Sequence, residues 1–134
     1  MRPARALVLA ALLLALAPAA GRAGHAPGAS FPTVRSDAAK RLLDVGEPVV
    51  FVDLRKPAEY GAGHLPGARS VPITELDRRY REIPTKGRVV LYCDCPLEEV
   101  GGVYRFLWTM GYRNHVGLED GFGGWYRSQY PVVK

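Results

Sequence analysis

RVVLYCDCPLEEVGG, Arg88 to Gly102, is the stretch that decides the fold. Val89, Val90 and Leu91 form a short unbroken apolar run, the pattern of a strand buried on both faces. Both cysteines of the chain follow at once, Cys93 and Cys95. Pro96 then suits the first turn of a helix, where its missing N–H costs nothing. The spacing predicts a helix from Pro96 to Met110 with Leu97, Val100, Tyr104, Leu107 and Trp108 on one stripe. Gly111 is placed to end it. A buried strand running straight into an amphipathic helix is the repeating unit of an α/β domain.

The unit recurs on either side. Pro48 to Asp53 is a second continuous apolar run, preceded by a helix predicted over Asp37 to Leu43 with Ser36 as its cap. Pro57 to Tyr60 reads as a helical turn, Gly61 to Gly67 as a glycine-rich loop, and Ser70 to Ile73 as extended. Thr74 is expected to cap a helix reaching Glu82. A short strand, Asn114 to Val116, and a helix, Phe122 to Gln129, complete the pattern. Apolar strands alternating with helices predict a parallel sheet. No internal repeat or interdomain linker interrupts it.

Sites in such sheets lie beyond the carboxyl ends of the strands. Three segments reach that edge: Asp53 to Arg55, Cys93 to Glu99, and Gly117 to Gly121. Cys93 is the first residue after a buried strand, and helix N–H groups without intrahelical partners follow it, so they can face an anion held on its sulfur. A helix N-terminus also favours thiolate over thiol. The competing expectation is an inert cysteine, the common fate of a buried thiol.

The chain has 134 residues, 18 basic against 13 acidic, and a formal net charge of +5. Residues 1–23 read as a cleaved signal peptide: Arg2 and Arg5 precede an apolar run from Ala6 to Ala17, too short to span a membrane but suited to a secretory core. Cleavage is expected after Ala19, Ala20 or Ala23, giving a periplasmic or secreted protein with no membrane span. Residues 24–30 read as a flexible start and 31–134 as one domain. Loss of Arg2, Arg5 and Arg22 lowers the net charge from +5 to +2, which together with the lack of a dense basic run argues against nucleic acid. The densest cluster, Arg78, Arg79 and Arg81, is expected on a solvated face. The two thiols close too small a ring to staple a domain, so stability must come from the core. His25 and His115 add no recognised ligand spacing, and neither a metal nor a cofactor is expected.

VVFVDLRKPAEYGAGHLPGARSVPI (residues 49–73), RVVLYC (88–93) and LEDGFGGWYRSQYPV (118–132) together resemble the rhodanese (sulfurtransferase) family. The first carries the family's strand ending Asp-x-Arg and its Gly-His-x-Pro-Gly-Ala turn. The second matches the strand leading to the catalytic cysteine, and the third the closing glycine, tryptophan and Tyr-Pro-Val pattern. The resemblance implies a single rhodanese-like domain, a five-stranded parallel sheet flanked by helices on both faces. It also implies a catalytic Cys93 that takes a sulfane sulfur from a small donor as a persulfide and passes it to a thiol or cyanide acceptor. The protein is expected to act as a monomer.

The loop departs from the family pattern. Pro96 and Glu98 stand where many members have glycine and arginine, with Asp94, Leu97 and Glu99 alongside. Nothing in it attracts a dianion, so thiosulfate is a doubtful donor. Glu98 either faces the pocket or merely complements the helix dipole. A Cys-x5-Arg phosphatase loop is excluded, because Glu99 occupies the arginine position. Asp53 and Arg55 are expected to pair and brace loops, His64 to support its turn, and Trp108 and Trp125 to lie in the core. Cys95 is a possible resolving thiol. The alternatives to sulfur transfer are a non-catalytic rhodanese-like binding module, or a thiol–disulfide or copper-handling role for Cys93 and Cys95.

Overall fold

The computed structural model describes residues 31–134. The proposed signal peptide, the segment 24–30 and His25 lie outside the described residues. Strand β1 is Thr33–Val34, followed by helix α1 (Ser36–Asp44), β2 (Val49–Asp53), α2 (Pro57–Ala62) and β3 (Arg69–Ser70). Then come α3 (Leu76–Arg79) between two 3-10 turns, β4 (Arg88–Tyr92), α4 (Leu97–Thr109), β5 (His115–Leu118) and α5 (Gly121–Arg127). The five strands form one sheet in the order β1-β5-β4-β2-β3, every pairing parallel.

Alternation along the strands sorts the apolar side chains between two faces. Val52, Val89 and Leu91 pack with Val100, Val103 and Leu107 of α4 and Leu76 of α3. Phe51, Val90 and Tyr92 pack with Ala39 of α1 and Trp125 of α5. The central strands β2 and β4 are thus covered on both sides, which explains their continuous apolar sequences. Their shared register, Val49 with Arg88 through Asp53 with Tyr92, brings their carboxyl ends level. Whatever follows Asp53 therefore lies beside whatever follows Tyr92.

Several local expectations need correction. Ser36 is the first residue of α1 rather than its cap. Its N–H and hydroxyl both donate to Asp120 Oδ1, at 2.9 and 2.8 Å, so the cap comes from the far end of the chain. Thr74 caps nothing; it sits within a 3-10 turn, Ile73–Glu75, and the helix predicted to Glu82 breaks into α3 and a second 3-10 turn. Trp108 is 46% exposed, with the Arg113 guanidinium 3.8 Å above its ring, whereas Trp125 is fully buried as expected. The stripe on α4 holds at Val100 and Leu107 and fails at Trp108, whose ring instead lies between Tyr104 and the Arg113 guanidinium. Arg79 is not simply solvated: it pairs with Glu75 and Glu82 and donates to the Ser70 carbonyl. Strand β1 escapes sequence reading, since two residues carry no periodicity.

Candidate active site

Cys93 follows β4 and is 6% exposed; Cys95, two residues on, is half-buried. The two are joined as a disulfide, their Cα atoms 5.3 Å apart. The backbone of Cys93 is held from α5, where the Phe122 N–H donates to the Cys93 carbonyl at 2.9 Å. Gly121 makes this approach possible. Its φ is +60°, and a Cβ there would stand 2.6 Å from the Cys93 oxygen. A side chain would need both a left-handed backbone and a displaced loop. On the other side of Cys95, α4 begins at Leu97 with Pro96 as its N-cap and with Glu98 and Glu99 in its first turn, where carboxylates complement the dipole.

Beside this loop, the end of β2 is a closed polar network. Asp53 is fully buried, and its carboxylate receives Nε and Nη2 of Arg55, the latter at 2.6 Å. Nη2 of Arg55 also donates to the Gly63 carbonyl at 2.7 Å, and the guanidinium lies 3.8 Å over the Phe122 ring. The Tyr92 hydroxyl donates to Asp53 Oδ2 at 2.7 Å and accepts the Leu65 N–H. Burial works against the charge on Arg55, but the hydrogen bond and charge of Asp53 outweigh it and raise its pKa. Burial and then the Asp53 charge push the Tyr92 phenol far above its ordinary range, so it remains a donor. The expected pairing of Asp53 with Arg55 is present, and its positive charge is already matched before any ligand arrives.

Two openings flank the disulfide. The larger, about 300 Å³, is lined by Cys93, Asp94, Cys95 and Glu99 on one side and by Leu54, Arg55, Lys56, Glu59 and Pro72 to Thr74 on the other. The smaller, about 110 Å³, lies between the cysteine loop and Leu118 to Gly121. All three strand ends predicted to build a site contribute. Of the loop residues, Asp94 lines both openings, Leu97 the smaller and Glu99 the larger; Pro96 and Glu98 line neither and are exposed. The carboxylate that meets the larger opening is thus Glu99 and not Glu98. With Arg55 matched by Asp53, Lys56 faces Glu59, Asp94 and Glu99, so the opening is acidic on balance.

His64 stands apart from the cysteines. Its ring stacks on Tyr60 with centroids 3.8 Å apart, Nδ1 lies 3.0 Å from the Tyr60 carbonyl, and its backbone pairs with Val133. It supports the turn, as its sequence context suggests. His115 is buried on β5 against Tyr104, and burial lowers its pKa. Among the described residues, no three or more His, Cys, Asp or Glu side chains gather as a metal cluster, and no helix is long and apolar enough to cross a membrane. Sequence reasoning missed Tyr92, Phe122 and Asp120 as supports. The one available signal was Tyr92, a polar-tipped residue at a position whose alternation demands burial.

Comparison with known proteins agrees with this architecture. The family model described as the rhodanese-like domain matches residues 36–128. A sulfurtransferase of Allochromatium vinosum is 34% identical over 94 residues, covering 70% of this chain and 86% of that protein. Among solved structures, the rhodanese-like domain of an Anabaena protein superposes with a TM-score of 0.68 at 25% identity, over 76% of this chain and 78% of its own. The thiosulfate sulfurtransferase of Pseudomonas aeruginosa superposes with a TM-score of 0.65 at 26% identity over 77% of this chain, which corresponds to 20% of that larger protein.

Proposed function

The chain belongs to the rhodanese-like domain family, and we propose that within it this protein is a sulfurtransferase acting through Cys93. The thiolate of Cys93 attacks a sulfane sulfur, the donor's remaining group leaves with the bonding electrons, and the resulting persulfide is passed to a thiophilic acceptor, a thiol or cyanide. The observation that carries this reading is the position of Cys93. It lies at the carboxyl end of a central parallel strand, reaches both openings, and is followed by the N-terminus of a 13-residue helix that favours the thiolate. Its 34% identical relative is named a sulfurtransferase.

The donor should carry little negative charge. Glu59, Asp94 and Glu99 meet the larger opening, and Arg55 has no charge to spare. An alkyl hydropersulfide, with at most one negative charge, suits this opening better than the thiosulfate dianion. The decisive assay uses the reduced protein with a polysulfide donor and a cyanide acceptor, comparing wild type, Cys93→Ser and Cys95→Ser. Transfer should fall to background in Cys93→Ser and persist in Cys95→Ser. Full activity of Cys93→Ser would overturn the assignment.

Export belongs to the same reading. Arg2 and Arg5 ahead of the Ala6 to Ala17 run support a leader cleaved by position 23 and delivery to the periplasm or the exterior. N-terminal sequencing of the secreted protein should start between Ala20 and Gly24. A membrane-bound product retaining Met1 would contradict it.

A further inference from the structure

The Cys93–Cys95 disulfide is unexplained by sulfur transfer alone, which needs a single thiol. It closes across one residue at the mouth of the larger opening, so it holds no distant parts of the fold together. The two sulfurs differ in surroundings. Cys93 is buried, and its backbone is held by the Phe122 N–H and the close approach of Gly121; Cys95 is half-buried in the loop and lines both openings. The bonded pair means that Cys95 Sγ reaches Cys93 Sγ within this arrangement of strands and helices.

Resting on the sulfurtransferase reading, we infer that Cys95 is the resolving thiol of this site. The chain then acts as a persulfide reductase that releases hydrosulfide and must be reopened by a dithiol. In the first step the Cys93 thiolate attacks the outer sulfur of an alkyl hydropersulfide; a Cys93 Sγ–S bond forms, the donor S–S bond breaks, and the alkyl thiolate leaves. In the second, the Cys95 thiolate attacks Cys93 Sγ. The Sγ–Sγ bond forms, the bond to the sulfane sulfur breaks, and that sulfur departs with the electron pair as hydrosulfide, keeping the proton it brought from the hydropersulfide. The sulfane sulfur gains two electrons and the two cysteines together lose two. A dithiol reductant returns them by two successive exchanges, ending as its own cyclic disulfide.

Access sets the order of that return. A reducing thiolate approaching from solvent meets the half-buried residue Cys95 before the buried Cys93 and expels Cys93 as the leaving thiolate, the form a helix N-terminus favours. The class of reaction that must follow this one is therefore thiol–disulfide exchange with an external dithiol. The same geometry makes the second step intramolecular, which removes the cost of bringing a separate acceptor into the opening.

The test is a single-turnover experiment on reduced protein freed of reductant, with an alkyl hydropersulfide as donor and no acceptor. Intact mass and released sulfide are read together. Wild type should release one hydrosulfide per chain and end lighter by two hydrogens. Cys95→Ser should gain the mass of one sulfur atom and release sulfide at least roughly a hundredfold more slowly, having lost the intramolecular attack. Cys93→Ser should do neither. Addition of dithiothreitol should restore a second round in wild type. If wild type and Cys95→Ser both keep the added sulfur, the resolving role is overturned while sulfur transfer stands. If neither gains sulfur nor releases sulfide, sulfur transfer itself falls and the inference with it. Repeated sulfide release by wild type with no added reductant and no oxidation of the released alkyl thiol to its disulfide would also overturn the inference, because its electrons would be unaccounted for.

Discussion

The carboxyl ends of β2 and β4 lie side by side, yet they are built on opposite plans. At the end of β2, Asp53, Arg55, Tyr92, Gly63 and Leu65 satisfy one another in a buried network. At the end of β4, the Cys93 to Glu99 loop is largely open, acidic, and meets two cavities. The first arrangement is internally paired, with Arg55 alone of its charged members lining the larger opening; the second is open. A buried ion pair that is fully hydrogen-bonded resists change because removing one partner strands the other. A reactive cysteine needs the reverse, a sulfur with room beside it and a backbone that does not move. The β2 network and α5 supply that steadiness from outside the loop.

This contrast can be broken most severely at Asp53. Asp53→Ala leaves Arg55 buried without its carboxylate and should cost about 3–5 kcal/mol in chemical denaturation. A loss below 1 kcal/mol would mean that the network is ornamental. Gly121→Ala tests the joint between α5 and the cysteine loop. Left-handed strain together with the clash against the Cys93 carbonyl should cost about 2 kcal/mol or more and lower sulfur transfer beyond the loss of folded protein. An active, undiminished Gly121→Ala would show that the cysteine loop does not depend on α5.

Smaller effects sharpen the comparison. Tyr92→Phe removes a donor to Asp53 and the acceptor of the Leu65 N–H, which should cost about 1–2 kcal/mol. Because the lesion lies in the brace and not in the opening, the donor preference of the folded protein should stay unchanged. Glu99→Gln should raise the ratio of kcat/KM for thiosulfate over an alkyl hydropersulfide by roughly three- to tenfold. One charge repels another by about 3 kcal/mol at about 6 Å and a dielectric near 20, and exposure screens most of that. Glu98→Gln should leave the ratio alone and cost only a few tenths of a kcal/mol through the helix dipole. Equal effects of the two substitutions would place the selective charge elsewhere.

Much of the architecture was readable from pattern because it depends on local physics. The short apolar runs at Val49 to Val52 and Val89 to Leu91, rich in β-branched valine, read as strands covered on both faces, and helices between them make the sheet parallel. The Asp53–Arg55 pair and the place of Cys93 at a strand end followed from the same order. The fifth strand, Thr33–Val34, was implied only by family resemblance, since its existence depends on β5 beside it.

By itself, then, the sequence determined the α/β class, the strand edge proposed to carry the site, and the two sulfurs on it. Tertiary structure alone decided which carboxylate meets the larger opening, that Asp120 caps α1 across 84 residues of chain, that Tyr92 ties β4 to the Asp53–Arg55 brace, and that Trp108 faces solvent. The physical reason is range. Periodicity and capping propensity report on neighbours within a turn or two, whereas Glu98 and Glu99 are indistinguishable until the rotation of α4 against the sheet assigns each a direction. Only packing makes that assignment.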